Sequence, residues 1–146
     1  GRCTSNCPAN MTGKKLSPRK IMMDVRDRSE EVITNINENR TEFIGEEHKE
    51  TAEKLTKENY DDGKTLFDRI STEELRACTT CNACVEACPI LINPLDIIME
   101  LRRNQILELS DSPEEWNNMF NTIENNGAPW AFSPDDRDKW IEDVNA

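Results

Sequence analysis

Four cysteines stand at Cys78, Cys81, Cys84 and Cys88, and Pro89 follows the last of them. The run reads C-x2-C-x2-C-x3-C-P, a spacing that lets the backbone wrap one corner of an inorganic cluster and present three thiolates to it. A 4Fe–4S cubane needs four thiolates, one for each iron. Where this spacing serves two clusters, the fourth cysteine ligates the other cluster and the proline turns the chain away. Cys3 and Cys7, with Pro8 behind them, repeat the second half of the motif, C-x3-C-P. By the same rule Cys7 joins Cys78, Cys81 and Cys84 as one complete 4Fe–4S set. Cys3 joins Cys88 as half of a second set, whose other two cysteines would precede Gly1.

Zinc is the main rival, because C-x2-C pairs also hold tetrahedral zinc. Zinc sites take two such pairs, whereas a third thiolate at two-residue spacing followed by Cys-Pro fits iron and sulfide better. Disulfides fit worst: a disulfide scaffold spreads its cysteines through a short, loop-rich chain, and these are bunched. The single histidine, His48, sits in a charged stretch without a ligand-type neighbour and reads as a surface residue. Arg2, Arg76, Arg102 and Arg103 lie near the cysteines in sequence, where tuning a cluster, docking a partner and plain solvation are all open readings. No Gly-rich phosphate loop, nucleophile–His pair or Rossmann fingerprint is present, and no two acidic residues single themselves out as an acid/base pair. No catalytic residue is assigned.

The elements that must position these cysteines read as helices. Ser17-Pro18, Asn93-Pro94, Ser112-Pro113 and Ser133-Pro134 each place a capping side chain before a proline suited to the first helical position. After Ser17, the residues Ile21, Met22, Val25, Val32, Ile33 and Ile36 recur at mostly helical spacing. Ser71 and Glu74 form a capping box that starts a short helix leading into the second cysteine group. A helix from Pro94 carries Leu95, Ile98, Leu101 and Arg102. The next carries Trp116, Met119, Phe120 and Ile123 on one face, a stripe that reads as core, and stops at Asn126-Gly127. Between these, Asp61-Asp62-Gly63 is a turn. Residues 46–59 are mostly charged, with Glu50–Lys54 and Glu53–Lys57 at i, i+4 spacing, and read as a solvated helix or a mobile insertion. Strand-like alternation is nearly absent, so the expected class is all-α.

Composition narrows the function classes. Eighteen Lys and Arg against 29 Asp and Glu give a net charge of −11, which disfavours binding to nucleic acid or to an anionic membrane surface. Hydrophobic residues make up 36% against 32% charged, so the core is modest. No apolar run approaches the ~20 residues of a membrane span. The reading is a cytoplasmic protein, associated with the inner face of a membrane only through partners. Residues 1–146 read as a single domain with a charged insertion at about 46–60. Because the chain opens at Gly1, inside a cysteine motif, it is expected to be a piece of a larger protein.

Taken together, Gly1-Arg2-Cys3-x3-Cys7-Pro8, Leu16-Ser17-Pro18-Arg19, Ala77-Cys78-Thr79-Thr80-Cys81-Asn82-Ala83-Cys84 and Cys88-Pro89 resemble the heterodisulfide-reductase-related iron–sulfur proteins. That group includes the iron–sulfur subunits serving glycolate and glycerol-3-phosphate dehydrogenases. Asn126-Gly127-Ala128-Pro129-Trp130, followed by Arg137 and Trp140, resembles a segment these proteins carry after the second motif. The resemblance implies an α-helical ferredoxin-like domain, two 4Fe–4S clusters side by side, and electron relay between a flavin or haem partner and a downstream acceptor. The partners it implies are a flavoprotein dehydrogenase, a cysteine-rich reductase domain or a haem subunit. Members often continue into a cysteine-rich domain with paired Cys-Cys-Gly motifs, which residues 1–146 do not contain. A non-redox alternative is an assembly module whose cluster only braces the fold.

Overall fold

The computed structural model describes residues Gly1–Asn145. Helices and turns account for its regular structure. Among the described residues there is no strand beyond one isolated antiparallel bridge between Ile44 and Tyr60, so the chain is all-α. It divides into two compact units, Gly1–Arg102 and a second that begins at Arg103.

In the first unit, two single-turn helices come first, α1 (Arg2–Ser5) and α2 (Pro8–Met11). The long α3 (Pro18–Asn37) follows; Ser17 caps it by accepting from the Lys20 N–H at 3.2 Å. Thr4 Oγ1 meets the Ser17 hydroxyl at 2.9 Å, so the cap of α3 also ties down α1. Then come α4 (Thr72–Arg76), α5 (Ala83–Glu86) and α6 (Pro94–Arg103). The capping box at Ser71 and Glu74 forms as expected, and Asn93 Oδ1 accepts from the Leu95 and Asp96 N–H groups at the start of α6. Side chains of Cys7, Ala9, Leu16, Ile21, Ile70, Leu75, Ile98 and Leu101 form the core, with Val25, Phe67, Ala77 and Cys78 against it. The helices therefore meet around the cysteines, and two of the cysteines are part of the packing.

Further along α3 the buried positions are polar. Arg28 and Asn35 continue the line of Ile21 at seven-residue steps, which is two helical turns, and both are buried. Arg28 donates from both terminal nitrogens to the Asp62 carboxylate, at 2.7 and 2.6 Å. The Asn35 amide donates to the Tyr60 hydroxyl, which in turn donates to Asp62, both at 2.9 Å. These bonds hold the segment after α3 against the helix.

That segment differs from its sequence reading. Residues 46–59 form no α-helix but an irregular loop with a 3-10 turn at Glu46–His48, mostly solvated as its charge implies and anchored at Leu55. Leu55 is fully buried and Ile44 nearly so; the Leu55 N–H is held by Asn39 Oδ1 at 2.8 Å. Neither the Glu50–Lys54 nor the Glu53–Lys57 pair forms, because the helix that would align them is not there. Lys49 pairs instead with Glu46, and Lys57 with Glu58 at 3.7 Å.

The second unit opens with a π-helical turn, Asn104–Glu108, and continues through α7 (Glu114–Asn126), a 3-10 turn at Pro134–Asp136 and α8 (Lys139–Asn145). Gly127 caps α7 at φ +63°, its N–H donating to Ile123 O at 2.8 Å. Arg137 donates to the Gly127 carbonyl at 2.5 Å, and Thr122 to that of Pro129 at 2.8 Å. Two expectations fail here. Ser112 does not cap α7: its hydroxyl meets the Asn117 side chain at 2.6 Å, and the helix starts one residue after Pro113. The stripe of Met119, Phe120 and Ile123 is not core, being 37%, 40% and 43% exposed. Helical spacing shows that such residues share a face but not what covers it.

Candidate metal centre

The helices of the first unit bring the cysteines into two groups. α1 packs against both α5 and α3, which carries the start of the chain to the second cysteine run. Cys7, Cys78, Cys81 and Cys84 line one cavity, whose other walls include Leu16, Pro18, Leu95 and Ile98. Cys3 and Cys88 do not reach it. They line a neighbouring cavity with Arg19, Met22, Met23 and Arg26 of α3, and a further one with Gly1, Arg2, Pro89 and Ile90.

Local backbone explains how the closely spaced cysteines turn toward one centre. α4 ends at Arg76, and the Cys78 N–H bends back to Leu75 O at 3.3 Å. Thr80 (φ +57°) and Asn82 (φ +62°) both lie in the left-handed region, where a β-branched threonine is a rarity that costs roughly 1–3 kcal/mol. Both residues lie between Cys78 and Cys84, and the Thr80 N–H points at Cys78 Sγ, 3.5 Å away. Leu91 (φ +53°) repeats the device after Cys88, whose Sγ accepts from the Ile92 N–H at 3.4 Å. Cys7 enters as the residue before α2, with Pro8 at the first helical position.

Exposure differs among the cysteines. Cys7 and Cys84 are buried, Cys78 is half-buried and Cys81 is exposed. Burial pushes the Cys84 thiol up from its ordinary value, and the neighbouring Cys78 and Cys7 push it the same way. Among the described residues, no three His, Cys, Asp or Glu side chains converge tightly enough to hold a single ion. A donor set made only of thiols, spread around a shared cavity with apolar walls, fits a polynuclear iron–sulfide group, in which each iron takes its own thiolate.

His48 lies exposed on its turn. Among the arginines flagged in the sequence, Arg2 lines a cavity with Cys3 and Cys88, and Arg102 bonds the Leu75 and Cys78 carbonyls. Sequence reasoning gives no site role to Arg19, Met23 or Arg26, and places Met22 only among the apolar residues at helical spacing. The spacing 19, 22, 23, 26 is the signal that marks these residues as one helical face.

No family profile matches the chain, and no solved structure matches it. Three curated proteins do, over nearly its whole length. It is 30% identical to "Probable iron-sulfur-binding oxidoreductase FadF" of Bacillus subtilis, with 99% of this chain and 22% of that protein covered. It is 32% identical to "EtfAB:quinone oxidoreductase" of Syntrophomonas wolfei, over 98% of this chain and 20% of that protein. It is 29% identical to "Probable membrane-anchored ferredoxin" of Chromohalobacter salexigens, over 99% and 21%. The chain is thus related, along nearly all its length, to one segment of each of these redox proteins, and spans about a fifth of their length. Among the described residues no helix is long and apolar enough to cross a membrane.

Proposed function

We propose that the chain is an electron-transfer module of a larger iron–sulfur oxidoreductase. In this reading Cys7, Cys78, Cys81 and Cys84 hold one 4Fe–4S cluster, and Cys3 and Cys88 contribute half the ligands of a second. The observation that carries it is the shared cavity: Cys7, distant in sequence, lines it with the first three cysteines of the run, and Cys88 of the same run does not. The relatives' names support an iron–sulfur role in redox proteins several times longer than this chain.

A bound cubane supplies a one-electron redox centre. The chain's own residues define its surroundings. Leu16, Pro18, Leu95 and Ile98 exclude water from one side, while exposed Cys81 brings the other side to the surface where an electron enters or leaves. The Thr80 N–H stabilises charge on Cys78 Sγ. Ile90 and Leu91, 74% and 71% exposed beside Cys88, offer an apolar edge to a partner. The partner is a flavoprotein dehydrogenase, a cysteine-rich reductase domain or a haem subunit, and the module relays electrons from it to a downstream acceptor. A spectroelectrochemical titration of the anaerobically reconstituted chain tests this. Reversible one-electron reduction at a physiological potential is expected; a centre that stays silent would make the cluster a brace for assembly instead.

A further inference from the structure

Arg102 ends the first unit with its guanidinium turned back across the start of the second cysteine run. Nε and Nη2 donate to the Leu75 carbonyl at 3.1 and 2.5 Å, and Nη2 donates to the Cys78 carbonyl at 2.6 Å. Leu75 is fully buried in the last turn of α4, where carbonyls lack partners within the helix. The two carbonyls are three residues apart, so one planar fork fixes the turn that delivers Cys78. Cys78 is then held at three points: its N–H by Leu75 O, its carbonyl by Arg102, and its sulfur by the Thr80 N–H.

From this geometry we infer that Arg102 is a positioning residue for the cluster held by Cys78, and that its fixed charge raises that cluster's reduction potential. The inference rests on the cluster reading above. Its physical basis is that reduction adds one negative charge to the group, and a cation held on a ligand's own backbone stabilises the more negative state. Arg102 is half-buried, so salt screens it less than it would a free surface charge. In a chain with net charge −11, a fixed positive group at this place offsets a background that opposes reduction.

The test compares the native chain with Arg102→Lys and Arg102→Gln, each reconstituted anaerobically with iron and sulfide. Lysine keeps the charge and loses the planar fork. Glutamine keeps a donor and loses the charge. The midpoint potential of Arg102→Gln is expected to be more negative than native, and that of Arg102→Lys to stay near native. Both variants should surrender iron to a chelator faster, by about tenfold, as when groups supporting a metal ligand are removed. Coincident midpoints in all three chains, or an equal shift in Lys and Gln, would overturn the inference. A native chain that takes up no iron and sulfide overturns the cluster reading itself, a result distinct from coincident midpoints.

Discussion

Arg28 and Asp62 form a two-pronged ion pair, 2.7 and 2.6 Å long, between the buried face of α3 and the turn that follows the charged loop. The side chains are 11% and 2% exposed. Arg28 also donates to the Lys64 carbonyl at 3.0 Å, and the Asp62 carboxylate accepts the Lys64 N–H at 3.1 Å. The pair therefore fixes a loop return as well as a charge.

Hydrogen bonding from Arg28, and then from Tyr60, holds the Asp62 carboxyl well below the usual carboxylate range. A carboxylate with a depressed folded-state pKa stabilises the fold above its unfolded pKa of about 4, and that contribution is lost as pH falls further. Asp62→Asn should therefore lose about 3 kcal/mol at neutral pH, since it leaves buried Arg28 with only the more exposed Glu31, 3.3 Å away, as a counter-charge. Its stability should also fall less steeply below pH 4 than that of the native chain. Urea midpoints measured from pH 3 to 7 check both; parallel acid limbs in the two proteins would contradict the assignment.

Leu55 is fully buried within a stretch that reads as charged and solvated. Leu55→Ala should cost about 2–4 kcal/mol, as for a leucine deleted from a core. Ile33→Ala, on the exposed side of α3 at 56% exposure, should cost less than about 1 kcal/mol. Equal losses from chemical denaturation would mean that the loop does not pack as described.

How far the fold was legible depends on the range of the interaction. Ser17, Asn93, Gly127 and the Ser71–Glu74 box were readable because a cap and its partner lie within three or four residues. Arg28 and Asn35 were not readable as buried. Their partners Asp62 and Tyr60 lie beyond any helical window, and polar residues on an inward face look like errors until the partner is known. Leu55 was hidden by its charged neighbours. The Met119–Ile123 stripe has the spacing of one helical face, yet it is exposed, because spacing carries no information about what covers a face. At the candidate site, spacing marks which cysteines of the run can wrap one centre. The repeated C-x3-C-P at Cys3 and Cys7 assigns Cys7 to the same set by rule, whereas the packing of α1 against α5 that carries the start of the chain there is written in no local pattern.

Removing the proposed cluster should loosen the first unit, because Cys7 and Cys78 belong to or touch its core, Cys84 is buried at the same cavity, and all three would lose their common anchor. A link worth about 2 kcal/mol moves Tm by roughly 4–8 °C in a protein of this size. Anaerobic melting with and without chelator is expected to show at least that fall, with faster amide exchange around Cys7 and along 78–88. An unchanged midpoint and unchanged cooperativity would mean the helices hold themselves together and the cluster serves only electron transfer.

The central claim is that ligands cross between the two cysteine groups, and native mass spectrometry of the anaerobically reconstituted chain measures it most directly. The native chain and Cys88→Ser should each carry one 4Fe–4S unit, about four irons and four sulfides. Cys7→Ser should carry none, or an incomplete cluster with fewer irons. Two full cubanes on the native chain, a zinc mass in their place, or equal loss of iron from Cys7→Ser and Cys88→Ser would contradict the account.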